Sequence, residues 1–255
     1  MTITLQNVRR DFPSRTAVDD VSCQIPSGCT LAVLGANGAG KSTLLRLIAG
    51  WLPTSTGRIQ IGGYTMRINS VSVRRKVMLL DEPILGEASI VEMISQAVDD
   101  YKIDRVGIET EVAEWFERLD LVGIFGQSAN AVSKGQRYKI AMICLFIVRP
   151  HVWLLDEPFS AGLDAGGLQT LETEMAAHAQ SGGIVIFSSQ WPDHANRLAN
   201  RCLVLHEGQL ICDHSVDSPV SADLLQAATP SLRAVLQGLG KPNPDQPHSG
   251  EVDAL

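Results

Sequence analysis

The chain has 255 residues, and 45% of them are hydrophobic, which is enough to bury the core of one α/β domain with a subdomain. Its net charge of −7 argues against a broad nucleic-acid-binding face, so we expect no nucleic-acid partner. The five cysteines show neither C-x-x-C spacing nor an even count, which favours buried thiols in a reducing compartment. No apolar run approaches the length of a membrane span and the N-terminus lacks a signal-peptide core, so we expect neither membrane insertion nor export.

Alternating and apolar runs predict strands and helices in an α/β order. Residues 2–8 and 17–25 alternate apolar and polar side chains, as half-exposed antiparallel strands do. Further strands are predicted at 31–34, 57–61, 77–80, 152–155, 184–187, 202–205 and 209–212. Helices are predicted from near Lys41 up to Gly50, within 88–121, from about 136 to Pro150, at 166–180 and at 192–200. One or two small helices are predicted at 220–238, and the proline-rich stretch from Lys241 is assigned no structure.

A glycine-rich stretch, GANGAGKST at 35–43, lies between a predicted strand and a predicted helix. It satisfies G-x-x-x-x-G-K-[ST] with Gly35, Gly40, Lys41 and Ser42. Because glycines leave the backbone N–H groups accessible and the helix start adds its positive dipole end, such a loop can cradle a polyphosphate. Lys41 would reach the β- and γ-phosphates, and the Ser42 hydroxyl would hold Mg²⁺. The alternative is a glycine turn that binds nothing, but the four fixed positions arise by chance in only about one of a hundred chains of this length.

Two carboxylates follow the apolar strand at 152–155. At the carboxyl end of a strand in an α/β sheet, they face the crevice in which ligands bind. Asp156 would hold Mg²⁺ through water, and Glu157 would orient or deprotonate the attacking water. On this stretch alone, the alternative that the acids merely cap the next helix is about equally favoured.

Together the motifs resemble the nucleotide-binding subunit of ATP-binding-cassette (ABC) transporters over roughly residues 2–213. GANGAGKST is similar to the family's Walker A motif, VWLLDEP at 152–158 to its Walker B motif, and VSKGQ at 132–136 to its signature motif. The resemblance implies an α/β fold of the P-loop NTPase class, with a mainly parallel core sheet, an antiparallel β subdomain and a helical subdomain. It divides the chain into an ATP-binding domain at 1–213 with the helical subdomain at about 84–148, a small helical extension at 214–240 and a disordered tail at 241–255.

The resemblance also implies which residues hold the cofactors ATP and Mg²⁺. Phe12 matches the aromatic that stacks on adenine, although by itself it is typical of a packed strand end. Ser133, Gly135 and Gln136 would meet the γ-phosphate of ATP held by a second subunit, because two such domains close head to tail on two nucleotides. The residues around the phosphates are Gly35, Asn37, Gly38, Ala39, Gly40, Lys41, Ser42 and Thr43. The catalytic residues are Glu157, Gln190 and Lys41, and the metal ligands are Ser42, Asp156 and Glu82.

A second LLDEP sequence, at 79–83, precedes the one at 154–158. Only the later copy follows a signature helix, so the later copy is the Walker B motif. Glu82 stands where similar proteins carry the glutamine of the Q-loop, with Asp81 as the alternative if the alignment slips by one residue. A carboxylate there supplies a charged oxygen to Mg²⁺ but adds repulsion beside the phosphates.

Two further departures lie beyond the Walker B motif. Gln190 replaces the family's switch histidine and cannot become cationic, which predicts a rate roughly 10- to 100-fold lower. His194 lies in the next predicted helix, and we expect it to be an ordinary surface histidine and not a substitute. The D-loop, at 157–164, is one residue longer than usual, which would shift Asp164 at the dimer interface.

The resemblance favours an ATP-binding and ATP-hydrolysing subunit that dimerises and powers a transporter. Its partners would be an integral membrane transporter subunit and a second ABC ATPase subunit, and its place the cytoplasmic face of the membrane. One alternative is an ATP-binding subunit with little turnover, paired with an active relative; Glu82, Gln190 and the longer D-loop favour it. A cassette ATPase that acts on DNA or ribosomes is less favoured, because the chain has neither a coiled-coil insertion nor a second cassette.

Overall fold

The structure is a computed structural model that describes residues 1–66, 71–81, 89–104, 106–128 and 131–216, together with Arg233, Gln237 and Leu239. The helices predicted within 220–238 and the tail from Lys241 lie outside the described residues, apart from those three positions. Glu82 also lies outside them. The division of the chain at 84–148, 214–240 and 241–255 stays a prediction.

The described elements follow the predicted α/β order. The strands are β1 (Ile3–Phe12), β2 (Arg15–Ile25), β3 (Thr30–Leu34), β4 (Thr56–Ile61), β5 (Tyr64–Thr65), β6 (Val77–Leu80), β7 (Val152–Leu155), β8 (Ile184–Ser189), β9 (Arg201–His206) and β10 (Gln209–Ser215). The helices are α1 (Lys41–Ile48), α2 (Val71–Arg74), α3 (Ile90–Tyr101), α4 (Ile108–Arg118), α5 (Lys134–Val148), α6 (Ala165–Gln180) and α7 (Pro192–Leu198). Short 3₁₀ turns lie at Val122–Ile124 and Pro158–Ser160. β10 continues beyond the predicted end at 212 because His214 and Ser215 still pair with β9.

A six-stranded sheet lies at the centre, in the order β10-β9-β3-β8-β7-β6. Its strands are parallel except for β10, which is antiparallel to β9. Every residue of β3, β7 and β8 is buried, as expected for parallel strands that are covered on both faces. Leu34 pairs with Ser189, and Leu155 pairs with Phe187. The segments that follow β3, β7 and β8 therefore meet at one edge of the sheet.

Side chains that alternate along the central strands divide the core into two layers. Leu31 and Val33 belong to a layer that includes α1 and the four-stranded antiparallel sheet β2-β1-β4-β5. Ala32 and Leu34 belong to the other layer, which includes α3, α4 and α5. This arrangement confirms the predicted parallel core with an antiparallel β layer.

Two amphipathic helices, α3 and α4, pack against α5. Ser89 begins α3 with a capping box in which its side chain and that of Glu92 each bond the other's backbone. Apolar side chains of the two helices, with that of the residue that caps α4, are part of the core: Ile90, Ile94, Val112, Trp115, Phe116 and Leu119. Among the described residues, no helix combines the length and apolar content needed to cross a bilayer.

The five cysteines are free thiols. Cys29, Cys144 and Cys202 are buried as predicted, whereas Cys23 and Cys212 are half-buried, on strands near the edges of the two sheets. Burial raises the pKa of Cys23, Cys144 and Cys202 to about 12, so these thiols stay protonated and unreactive near neutral pH.

Candidate functional site

The loop that joins β3 to α1 can be built only from small residues. Gly35, Gly38 and Gly40 have φ of 153°, 82° and 105°, in the region that L side chains rarely adopt. A Cβ on Gly40 would overlap the carbonyl oxygen of Ala17, and one on Gly35 would crowd the carbonyl oxygen of Leu205. The backbone therefore lies close to neighbouring strands on one side, and side chains are excluded along the loop.

Helix α1 begins at Lys41, as predicted, and its N-terminal amides have no side-chain cap. Gly40 occupies the N-cap position and has no side-chain oxygen to offer them. Unpaired N–H groups at a helix start, next to a loop without side chains, suit an anion with several oxygens. The chemistry of this cradle fits a triphosphate.

The ammonium of Lys41 is buried, with 5% of the residue exposed. It donates hydrogen bonds to the carbonyl oxygens of Gly35 at 2.9 Å and Ala36 at 3.2 Å. Its Nζ also lies 3.2 Å from Oε1 of Glu157. A buried ammonium needs such partners, because an unpaired charge is costly in a dry interior. The phosphate-binding loop and the acid after β7, predicted separately, thus meet at one ion pair.

The alternative that the two acids only cap a helix is wrong for Glu157. The residue precedes the 3₁₀ turn Pro158–Ser160, yet its side chain makes no capping hydrogen bond. Its backbone has a φ of 45°, which is unfavourable for a residue other than glycine and turns the chain sharply after β7. The carboxylate faces Lys41.

Ser188, on β8 just after the last residue that pairs with β7, forms hydrogen bonds with both acidic residues. Its buried hydroxyl donates to Oδ1 of Asp156 at 2.6 Å and accepts from the backbone N–H of Glu157 at 2.8 Å. Ser188 thereby orients the Asp156 carboxylate, the predicted metal ligand. It also fixes the backbone of Glu157 at the turn that follows β7. No sequence motif assigns a role to Ser188.

His194 is not the surface side chain that we expected. It is half-buried, its Nδ1 lies 2.8 Å from Oγ of Ser189, and its ring lies 4.2 Å from that of Phe159. Burial lowers the pKa of His194, so the ring favours the neutral form. The histidine supports the strand end that carries Gln190, which is half-buried at the same sheet edge. Helix α7 begins soon after β8 and turns His194 back onto that strand end, which the sequence pattern did not reveal.

The signature residues lie at the start of α5. Ser133 is the N-cap, and its hydroxyl accepts from the backbone N–H of Gln136 while the Gln136 side chain accepts from the backbone N–H of Ser133. Ser133 is exposed and Gly135 is buried. A Cβ on Gly135 would overlap the carbonyl oxygen of Gly162, in the D-loop. The signature end of α5 therefore carries an exposed serine and packs directly on the D-loop.

Phe12 ends β1 at the turn that leads to β2. Its ring is half-exposed and lies 4.8 Å from the guanidinium carbon of Arg10. Phe12 pairs with Arg15, and an Arg15 guanidinium nitrogen lies 4.0 Å from where a Cβ of Gly38 would be. The turn with Phe12 therefore lies beside the phosphate-binding loop, and stacking of Phe12 on adenine stays a prediction.

Asp81, the alternative to Glu82 as a metal ligand, follows β6 at the same sheet edge as Asp156. Its Oδ2 accepts hydrogen bonds from Arg46 of α1 at 2.5 and 2.9 Å. This carboxylate is therefore already bound to α1. The metal role of Glu82 stays a prediction.

The fold and the site define a P-loop nucleotide-binding protein of the α/β class. A profile of the family described as ABC transporter matches residues 18–160. The chain belongs to this family, which confirms the resemblance and the fold class predicted from the motifs.

Two curated relatives illustrate the similarity. The sulfate/thiosulfate import ATP-binding protein CysA of Thermosynechococcus vestitus is 34% identical over 212 residues, which is 82% of this chain and 63% of the relative. The cobalt import ATP-binding protein CbiO of Rhodobacter capsulatus is 31% identical over 227 residues, which is 86% of this chain and 80% of the relative. The chain thus spans about 63% of the length of the CysA relative.

A solved structure described as the ATP-binding subunit of an ABC transporter superposes with a TM-score of 0.83. It is 23% identical in sequence, and the superposition covers 93% of this chain and 100% of that one. The structure of cbiO1 from Clostridium perfringens gives a TM-score of 0.67, at 23% identity over 84% of this chain and 88% of that one. At this identity both structures support the fold.

Removal of the Ser188 hydroxyl should impair catalysis more than nucleotide binding. In Ser188→Ala the backbone N–H of Glu157 loses its acceptor, so we expect a loss of about 1–3 kcal/mol of stability and at least about a tenfold fall in kcat for ATP hydrolysis. The Kd for MgATP should change less than kcat, because Lys41 and the loop are untouched. Phosphate release and calorimetric titration measure the two quantities. Ser181→Ala, at an exposed serine, is the control; equal turnover in both variants would contradict the assigned role of Ser188.

Proposed function

We propose that this chain binds MgATP, hydrolyses it, and so powers a membrane transporter as its ATP-binding subunit. The observation that carries the proposal is the contact of 3.2 Å between Lys41 and Glu157 at the carboxyl edge of the central sheet. It brings a phosphate-binding cation and a candidate general base into one site. Membership of the ABC transporter family supports the same conclusion.

Each residue of the loop has a role that follows from its chemistry. The backbone N–H groups from Gly35 to Thr43 hold the phosphates, and Lys41 exchanges its carbonyl and carboxylate partners for phosphate oxygens. The Ser42 hydroxyl and the Asp156 carboxylate hold Mg²⁺, with Glu82 as a further ligand. When bound, MgATP supplies an activated phosphoanhydride that water can attack.

Glu157 accepts the proton of the attacking water. Displacement of Lys41 toward phosphate leaves this carboxylate free to do so, and Ser188 keeps its backbone in place. Gln190 lies at the same edge and offers a neutral amide where a cation is expected, so turnover is slow.

A second ABC ATPase subunit, identical or related, completes the site. Ser133 is exposed at the start of α5, where the helix dipole favours an anion. With Gly135 and Gln136 it meets the γ-phosphate of ATP held by the other subunit. The nucleotide thus joins two subunits, and hydrolysis lets them separate.

The integral membrane partner docks in a groove between the central sheet and α3. The groove has a volume of about 850 Å³, an apolar floor that includes Met78, Met93 and Cys144, and the acids Glu92 and Asp100 at its rim. Both rim acids are exposed. These features suit a helix with an apolar face and basic residues, on the cytoplasmic side of the membrane.

Turnover tests the catalytic part of the proposal. We expect the wild-type chain to release phosphate from ATP slowly but measurably, and Glu157→Gln to lower kcat by at least about 100-fold, because the general base is lost. Glu117→Gln, at an exposed position on α4, should leave kcat unchanged. Wild-type phosphate release no faster than that of Glu157→Gln would instead favour the alternative of an ATP-binding subunit with little turnover.

Recovery of a membrane protein by tagged chain tests the proposed docking of the membrane partner in the groove. Tagged chain should recover an integral membrane protein from solubilised membranes. Asp100→Lys, which leaves the Ser89–Glu92 capping box intact, should reduce that recovery by about fivefold or more, because the rim then repels a basic helix. Glu114→Lys, exposed on α4, provides the same change of charge away from the groove. Recovery of ribosomes or DNA without a membrane protein would contradict the proposal.

A further inference from the structure

A buried lysine also lies outside the nucleotide loop. Lys139 lies on α5, and only 5% of the residue is exposed. Its ammonium donates to the carbonyl oxygen of Leu119 at 2.8 Å and to Oδ2 of Asp164 at 2.6 Å. Lysine is rarely buried without such partners, so these two bonds fix where the ammonium lies.

The two partners of Lys139 belong to different elements. Leu119 is the C-cap residue of α4, where helix carbonyls lack partners within the helix. Asp164 is the N-cap of α6, and its Oδ1 accepts from the backbone N–H of Gly167 at 2.8 Å. One ammonium therefore connects the end of α4, the middle of α5 and the D-loop at the start of α6.

A second contact lies one turn earlier on the same face of α5. Gly135 packs against the carbonyl oxygen of Gly162 so closely that a Cβ would not fit. Gly162 has a φ of 80°, which glycine adopts readily, and it lies in the D-loop that is one residue longer than expected. Residues 135 and 139 are separated by four positions, so both contacts lie on one helix face. We call the Gly135–Gly162 contact and the Lys139–Asp164 ion pair the clasp.

The clasp is asymmetric. The Lys139 side chain is 7% exposed, whereas that of Asp164 is 62% exposed. The carboxylate has no need of lysine for its solvation, and its Oδ1 is already held by the backbone N–H of Gly167. Lys139 binds the second oxygen, Oδ2, and so ties the N-cap of α6 to α5 at the surface.

We propose that Lys139 is a positioning residue that makes the D-loop and the signature end of α5 one rigid surface for pairing with the second subunit. The proposal rests on the proposed function, because it concerns the pairing of subunits on ATP. Without the clasp, the D-loop and Ser133 must be ordered separately when the subunits meet, which weakens pairing. ATP binding to a single subunit does not require the clasp, because Lys139 makes no contact with the phosphate-binding loop in the described hydrogen bonds and ion pairs.

The test uses full-length chain with Glu157→Gln, which slows hydrolysis so that ATP-bound dimers accumulate. Sedimentation gives the dimerisation constant in MgATP, and calorimetry at low protein concentration gives the Kd of MgATP for the monomer. Lys139→Met should weaken dimerisation on the order of tenfold and leave the Kd of MgATP within about twofold. Lys139→Arg, which restores a buried donor, should recover most of the loss. Lys102→Met removes an exposed lysine at the C-terminal end of α3 and should change neither value.

A double-mutant cycle distinguishes positioning from general stability. Asp164→Asn keeps an N-cap acceptor for α6 but loses the ion pair, and it leaves the core intact. The double variant combines Lys139→Met with Asp164→Asn. If Lys139 acts through Asp164, the dimerisation constant of the double variant should be no poorer than that of whichever single variant dimerises more weakly. Additive losses, failure of Lys139→Arg to rescue, or unchanged dimerisation in Lys139→Met would overturn the proposal. If the Glu157→Gln parent itself binds MgATP and stays monomeric, pairing between identical subunits fails, and the role of Lys139 in that pairing fails with it.

Discussion

The site depends on the buried ammonium of Lys41, which cannot remain in the interior without partners. The loop provides the carbonyl oxygens of Gly35 and Ala36, and the strand β7 provides Glu157 from another part of the sequence. Because all three partners are oxygens, phosphate oxygens can replace them without a change in the chemistry of the contact. In the proposed function, the ion pair with Glu157 links the position of the proposed general base to occupancy of the phosphate site. Nucleotide binding would then release the base through the same Lys41 side chain.

The parallel sheet makes this meeting possible. Residues more than a hundred positions apart in sequence meet because β3, β7 and β8 are adjacent and end at the same edge. Ser188 lies on β8, next to β7, and its hydroxyl forms hydrogen bonds with the Asp156 carboxylate and the backbone N–H of Glu157. A similar arrangement occurs at α5, where Lys139 joins elements from three parts of the chain. In both places a single polar side chain binds groups from segments that are far apart in the sequence.

Much of the fold and the site follows from local pattern. The strand, glycine loop and helix around Lys41 could be predicted because φ above zero requires glycine and a phosphate loop requires small residues. The α/β alternation along the chain followed from the apolar runs, and the family followed from the motifs. The roles of Ser188, Lys139 and His194 did not, because each depends on which residue lies across a strand pair or a helix contact. Serine, lysine and histidine at such positions carry no local signal, and His194 was wrongly expected at the surface. The metal role of Glu82 and the stacking of Phe12 stay predictions.

Calorimetric titration of the intact chain with MgATP tests the central claim, that Lys41 holds a triphosphate. We expect saturable binding of one nucleotide per chain. Lys41→Met keeps the length of the side chain and removes its charge, so the Kd should rise by at least about tenfold, as expected for loss of a charge-assisted hydrogen bond. Lys102→Met, at an exposed position, should leave the Kd unchanged. Absence of MgATP binding to the folded wild-type chain, or equal affinity in Lys41→Met, would contradict the account.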